Sequence, residues 1–436
     1  MKQYILLTLL SLLSISSFAQ YAVRGGSGIP YKETPINKME VFFLNGMSGA
    51  QITYTSSDAE THQWYRYSIK ANEAEPIECV QSGNSSTITD VLDGYGYFVG
   101  SNLSSTTSYV WIIDYSKYIP TFHSININEG DNKCEKITIT ASVDADELYY
   151  YSPTGVYSIL PREYYLSYYT QELDEDNFIF ETKYKDIEVK NPSEIRIDSP
   201  LQDTDFTLSG DKYAEHFGIA KIISTPVFQA VAVKAHRSFV RDKVKVPNEF
   251  ANEASDLGGS GPIFITFNGY ANEPVAAMYI WKIFWKPDIS APFQSVARYT
   301  NKTISYNFDK EGTYEVRLEV IDRTGVCSDT SIVEEVTIGE TDIRVPQAFS
   351  PGSSPGVNDE FRISYTSVTN FKCTIFNRWG TKLYEWNDPA KGWDGRVNGR
   401  FVPTGVYFYV IQYKGTRDNK TRVKKGSVNV LRSKYR

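Results

Sequence analysis

The sequence predicts an all-β chain folded as a row of tandem β-sandwich domains, and three observations lead there. The 436 residues hold 32 Tyr and 23 Phe against 4 Met and 4 His, and Tyr and Phe favour pleated, half-buried surfaces. Short runs with two-residue apolar alternation recur along the chain, while long stripes of 3.6-residue period do not. Gly, Asn and Ser clusters separate those runs and supply turns at the spacing of sandwich folds. A hydrophobic fraction of 41% with 22% charged residues is that of a globular chain, so disorder is not the default. The length exceeds what one core ordinarily serves and implies about two to four domains.

The amino end carries Lys2, an apolar run over 5–13, and Ser17-Phe18-Ala19-Gln20. The run is too short to span a bilayer, and Ser17 and Ala19 are the small residues that precede a cleavage site. Residues 1–19 therefore read as a secretory signal peptide cut between Ala19 and Gln20. No cysteine follows the cut, so no lipid anchor is expected, and no later stretch predicts a transmembrane segment. Cys79, Cys134, Cys327 and Cys373 are far apart and form no C-x-x-C pair, which argues against zinc and redox motifs. Each falls in a different predicted module, so free buried thiols are expected in preference to two disulfides. A net charge of -7 argues against nucleic acid as a partner.

The first module, 20–120, contains strand-like runs at 39–44, 51–54, 62–69, 95–99 and 109–115. Trp64 followed by "DGYGYFV" at 93–99 resembles the central tryptophan and tyrosine-corner region of immunoglobulin-like domains, although no second cysteine accompanies it. The second module, 121–247, restarts with "CEKITITAS", where Ile137 and Ile139 alternate with Thr138 and Thr140. It continues through tyrosine clusters at 149–151 and 164–169 and closes with "VFQAVAVKA", whose Val227, Val231 and Val233 share one face by the two-residue period. The tyrosines are expected on strand faces rather than as a ligand platform.

Residues 248–262, "NEFANEASDLGGSGP", read as a linker. In the third module, 263–340, "YIWKIFW" places Tyr279, Trp281, Ile283 and Trp285 on one face, and a turn at Lys310-Glu311-Gly312 precedes the alternation of Tyr314, Val316, Leu318 and Val320. This resembles the PKD type of immunoglobulin-like domain. The family's W-x-F-G-D-G is missing, because Trp281 is followed by Lys-Ile-Phe-Trp.

The last module, 341–436, begins with "VPQAFSPGSSPGVNDEFRI", a looped segment in which Asn358-Asp359 makes Asx-type turns. "FKCTIFNRWG", "KLYEW", the turn "GWDGRVNG", "GVYFYVIQY" and "SVNVLR" follow, predicting a compact seven-stranded sandwich of about 92 residues. Trp379 and Trp393 are expected to anchor its core under glycine turns. The order and spacing of these pieces closely resemble the gliding-motility-associated C-terminal domain, the type B sorting domain of the type IX secretion system. The matching residues are Pro346, Ala348-Phe349, Pro351, Gly356, Asn358-Asp359, Phe376-Asn377-Arg378-Trp379-Gly380, Gly392-Trp393-Asp394-Gly395, Asn398-Gly399, Pro403, Gly405, Tyr407, Tyr409 and Gly426. Gln347 stands where the family often has asparagine, and "SSPGVND" where it has "NGDGVND".

That resemblance implies an address. Family members pass the inner membrane by general export and the outer membrane through the type IX translocon, which reads this folded domain, and a PorP/SprF-like outer-membrane β-barrel is the associated partner. Other surface or periplasmic proteins are further partners to expect. From Lys414 onward the chain has nine Lys or Arg, Lys424 and Lys425 among them, against one acid, Asp418, which reads either as a patch steered toward an acidic receptor or as a solvated basic final hairpin.

No constellation for chemistry emerges. His62, His123, His216 and His236 are scattered without metal-ligand spacing, and G-x-S-x-G, H-E-x-x-H and phosphate-cradling loops are missing from the sequence. "ELDEDN" at 172–177 lacks the ordered calcium pattern and reads as a solvated loop. The expectation is a non-enzymatic, exported cell-surface protein without cofactor or metal, a cargo or accessory component of the type IX system. The alternatives are a surface adhesin, or a secreted hydrolase with its catalytic module in 121–247.

Overall fold

The computed structural model describes residues 20–33, 39–100, 108–128, 130, 132–241, 246–250, 257–332, 335–353, 356–416, 418 and 420–432. The expected signal peptide and Ala19 lie outside the described residues; Gln20 opens the first strand, Gln20–Arg24. Almost all the regular structure is β, with one short α-helix, Lys212–His216, and two single-turn 3-10 helices among the described residues. The chain divides into two compact units, 1–170 with 183–199 and 203–229, and 171–182 with 200–202 and 230–436.

In the first unit, 20–115 form a sandwich. One sheet runs Gln20–Arg24, Gln51–Thr55, Ser85–Ile88, Val80–Ser82; the other runs Tyr31–Glu33, Met39–Leu44, Tyr109–Asp114, Tyr95–Val99, Trp64–Tyr67, Glu75–Ile77. Trp64, Phe42, Leu44, Ile52, Tyr97 and Ile112 are buried between them. The Trp64 indole donates to Ser86 Oγ at 2.7 Å. The Tyr97 hydroxyl accepts the Leu92 N–H at 2.6 Å, the corner bond that the "DGYGYFV" run suggested. "MEVFFL" is apolar on both faces, which an exposed sheet face would not tolerate. Its Val41 and Phe43 turn away from that core and pack with Leu148, Tyr150, Leu160 and Tyr213 of the following module.

That second module sets Thr121–Asn128, Lys136–Asp144 and Ile195–Asp198 in one sheet, Ile179–Val189, Tyr164–Asp174, Thr207–Gly210 and Lys221–Ser224 in another, and adds the hairpin Leu148–Tyr151/Tyr157–Leu160. Ile137 and Ile139 face inward as their alternation requires. Tyr150 and Tyr164 also face inward, whereas Tyr169 is exposed. The seam between the two modules is closed by a buried ion pair. Arg162 binds Asp211, which also accepts the Tyr115 hydroxyl at 2.5 Å and caps the short helix. "VFQAVAVKA" departs from the expected strand: Phe228 forms an isolated bridge to Thr204, Ala235 alone belongs to a regular strand, and Val227 is exposed while the consecutive residues 230–233 are all buried. Burial without alternation marks a connecting segment pressed into the protein.

In the second unit, Ala235–Arg241 joins Ile263–Ala271 and Thr303–Phe308 in a sheet, so the third module takes its first strand from the stretch expected to finish the second. The opposite sheet is Gln294–Tyr299, Ala276–Lys286, Gly312–Asp322 and Ser328–Ile332, with Val336–Ile338 pairing the Gly312–Asp322 strand as well. Trp281, Ile283, Tyr314, Val316, Leu318 and Val320 fill the space between. Gly312 has φ +128°, and a Cβ there would meet the Lys286 carbonyl oxygen at 2.4 Å, which explains the glycine after Lys310-Glu311.

The expected linker is partly claimed by the last domain. Phe250 N–H donates to the Tyr365 carbonyl at 2.9 Å, and Tyr365 N–H to the Asn248 carbonyl at 3.1 Å. Ser367 then receives the Gly261 N–H at 3.0 Å and donates its hydroxyl to Gly339 at 2.6 Å. Glycine and serine here make bonds instead of slack. Cys79 and Cys373 are free thiols, but Cys134 and Cys327 are disulfide-bonded, correcting the expectation of four free thiols.

Candidate functional site

The carboxyl-terminal domain is organised on a five-stranded sheet ordered Ala348–Phe349, Arg422–Val430, Gly405–Gly415, Val368–Phe376, Lys382–Trp386. Two small pairs, Asp342–Arg344 with Ser364–Thr366 and Arg396–Val397 with Arg400–Phe401, raise the described strands to nine instead of seven. Every second residue of "GVYFYVI" faces inward: Tyr407, Tyr409 and Ile411 are buried, and Val406 and Phe408 are exposed. Burial raises the pKa of the Tyr407 and Tyr409 hydroxyls, and it pushes the Cys373 thiol far up. Gly426 lies opposite Tyr409, where a Cβ would meet its hydroxyl at 2.3 Å.

Around this sheet the sequence motifs take different positions. In "GWDG", Trp393 is wholly buried against Phe349 and Tyr407, its indole donating to the Arg396 carbonyl at 2.9 Å. Its backbone pairs with Phe361 in both directions, at 2.8 and 3.1 Å. Gly392 passes so close to Phe361 that a Cβ would stand 2.8 Å from the Phe361 carbonyl oxygen, and Gly395 lies against Pro351. Asp394 receives the Arg396 N–H at 3.0 Å and sets that turn. In the looped start, Asp359 receives the N–H groups of Gly352 and Gly356 at 3.1 and 2.5 Å, and Asn358 takes φ +55°. Gly356, Asn358 and Asp359 border a depression of about 320 Å³ with Pro346, Glu360 and Arg362.

"FNRWG" is the hairpin between Val368–Phe376 and Lys382–Trp386. The Asn377 carboxamide oxygen accepts from Trp379 N–H at 3.0 Å and Thr381 N–H at 2.9 Å, and Gly380 turns the chain at φ +81°. Trp379 does not anchor the core as expected; it is 75% exposed at the tip. The Arg378 guanidinium lies 4.4 Å from its ring centroid. The physical reason is turn geometry: the Asn377 side chain ties down the backbone N–H groups of Trp379 and Thr381 and sets the indole on the outside of the turn, while Trp386 and Trp393 are the tryptophans buried in the core.

Because Phe376 registers with Phe408, the hairpin stands beside the start of the Gly405–Gly415 strand. Tyr407 donates its hydroxyl to the Pro403 carbonyl at 2.8 Å and holds that bend. Between them is a cleft of about 380 Å³ lined by Asn377, Arg378, Trp379, Leu383, Val402 and Tyr407, with Gly405 and Val406 on its rim. Thus the structure brings Asn377, Arg378, Trp379, Gly405 and Tyr407 together. It leaves Asn358, Asp359, Gly392, Trp393, Asp394 and Gly395 in turns elsewhere. Lys424 donates to the Ile343 carbonyl at 2.5 Å and is part-buried, while Lys425 is exposed on the same strand. Leu383, Val397 and Val402, which also line the cleft, were not singled out from sequence, where each reads only as an apolar residue in or beside a short strand.

The histidines make local structural contacts. His62 is buried between Ser86 Oγ at 2.7 Å and Ser56 Oγ at 2.9 Å. His123 meets Asp144, His216 the Ile29 carbonyl, and His236 stacks on Phe178. "ELDEDN" is a hairpin turn in which Asp174 accepts the N–H groups of Asp176 and Asn177. Among the described residues no group of three or more His, Cys, Asp or Glu is placed to hold a metal ion. A cavity of about 810 Å³ lies beside Gly312 and Gly339. Its Arg344 stacks 4.1 Å over Phe250 and pairs with Asp342 at 3.3 Å.

Fold and turns define a protein of tandem immunoglobulin-like sandwiches that ends in a compact domain with its own core. Comparison makes that more particular: residues 343–430 match the CHU_C type IX secretion signal domain and residues 126–225 the Fn3_FA fibronectin type III domain. A solved structure of the chicken CNTN1 FN1-FN3 domains is similar over 71% of this chain and 98% of that one, at 12% identity and TM-score 0.25. No curated protein matches the chain. The chain thus carries a type IX secretion signal domain, which implies export by that system and association with the cell surface. Among the described residues no helix is long and apolar enough to cross a membrane.

Proposed function

We propose that this chain is a non-enzymatic cargo or accessory component of the type IX secretion system, held at the outer membrane by a PorP/SprF-like β-barrel that binds its carboxyl-terminal domain. Residues 1–19 serve as its signal for general export and leave Gln20 at the amino end. The observation that carries the reading is the match of residues 343–430 to the secretion signal domain. The buried residues of its core, Phe349, Phe361, Trp393, Tyr407 and Val430 among them, all come from that segment, with Val246 packed against them, so it is suited to be read as a folded object.

The test is an affinity pull-down from solubilised outer membrane, comparing the full chain with one ending at Glu340. Only the full chain is expected to bring down the barrel. Equal recovery of the barrel by the truncated chain would remove the role given to the last domain.

A further inference from the structure

We infer that the Arg378–Trp379 hairpin tip and the cleft beside it form the docking site for a protein loop of the secretion machinery that presents an apolar side chain next to a carboxylate. This rests on the reading of the domain as a signal and names the part of it that is touched.

Single exposed apolar residues are common on surfaces and need no explanation. Four features coincide here. Trp379 is 75% exposed although the domain has a core that takes two other tryptophans, Trp386 and Trp393. Its backbone is held by the Asn377 side chain, and its ring is faced by Arg378 at 4.4 Å, so little conformational freedom is left to lose on binding. Beside it the cleft of about 380 Å³ is lined by Leu383, Val402 and Tyr407, room for one large apolar side chain.

The fourth feature is charge. Among the described residues, Arg378 is the sole charged one lining the cleft, and no acid lines it. No described carboxylate pairs with its guanidinium, whereas nearby Lys372 and Lys382 both meet Glu385, at 3.2 and 3.6 Å. A guanidinium beside an apolar hollow, with its donors uncommitted, selects a carboxylate flanked by an apolar group. Tryptophan and arginine are also the side chains that most often dominate binding at protein interfaces.

The test uses the full chain produced in its own cells, with externally added protease on intact cells reading the fraction at the surface. The variants are Trp379→Ala and Arg378→Glu, with Lys391→Ala, an exposed position away from the cleft, as control. Both side chains lie outside the core, so the thermal midpoint of each purified variant should stay within about 2 °C of the parent. Each is expected to lower the surface fraction about tenfold, with the control unchanged. A loss under threefold for either variant, while the chain ending at Glu340 stays inside, overturns this inference and leaves the signal reading standing. If the truncated chain also reaches the surface, the signal reading falls and takes this inference with it.

Discussion

Replacing Arg162 with Ala should destabilise the amino-terminal unit by about 3 kcal/mol, near the lower end of what it costs to strand one member of a buried ion pair. Asp211 has 0% of its side chain exposed and Arg162 10%, so water cannot replace the lost guanidinium without opening the seam. The carboxylate would keep the Tyr115 hydroxyl at 2.5 Å and the N–H groups of Tyr213 and Ala214 at 3.2 Å, which is why the lower end applies. The carbonyls of Tyr118 and Asp146 would lose their guanidinium bonds of 2.8 and 2.7 Å. For a unit of this size each kcal/mol moves the melting midpoint by roughly 2–4 °C, giving a fall of roughly 6–12 °C. Calorimetry of the full chain measures it. The double variant Arg162→Met/Asp211→Asn should recover part of the loss, because no unpaired charge remains buried. Hydrogen exchange should accelerate together in 109–114 and 207–210, since the core on this side of the seam contains both Trp111 and Tyr213. A midpoint shift under roughly 2 °C for Arg162→Ala would refute the argument by showing that Asp211 is hydrated in the folded protein.

Trp393→Ala should cost about 3–5 kcal/mol through the cavity it leaves, read as a lower denaturant midpoint and an altered near-ultraviolet circular dichroism signal. Gly312→Ala should destabilise the third domain by more than about 1 kcal/mol, because φ +128° and the 2.4 Å approach of Lys286 oxygen both oppose a Cβ; an unchanged denaturant midpoint would contradict it. A thiol reagent should reach Cys79, which is partly exposed, before Cys373, which reacts only on unfolding because burial suppresses its thiolate; mass spectrometry of the labelled chain decides. Burial pushes the Asp322 carboxyl up, but bonds from the Thr324 hydroxyl and the N–H groups of Cys327, Thr324 and Val326 outweigh it and hold it below the usual carboxylate value. Its stabilising contribution is therefore present above the unfolded carboxyl pKa, about 4, and is lost as pH falls through the folded value. Asp322→Asn should flatten the acid limb of the third domain's stability curve, measured by urea unfolding between pH 2 and about 7.

Much of this was legible in the chain because strand alternation and turn chemistry are local. Tyr314, Val316, Leu318 and Val320 announce one face of a strand by their spacing, and all four are buried. Gly380, Gly395 and Gly312 announce turns, and each has positive φ. "FNRWG" and "GWDG" identified the last domain by order alone. The same local logic misplaced Trp379, because a tryptophan beside a glycine turn reads alike whether it points under the turn or out of it.

What the amino-acid sequence determined by itself was the all-β class, the turns, the inward faces of its clearest strands and the address-bearing last domain. What the tertiary structure decided was how residues distant in sequence share the interior. It gave the second face of "MEVFFL" a covering, joined Arg162 to Asp211, drew Asn248 and Phe250 to Tyr365, and set Arg378 and Trp379 beside Val402 and Tyr407. The physical reason is range: φ preference and side-chain period act over a few residues, whereas burial and ion pairing depend on which strand arrives from elsewhere.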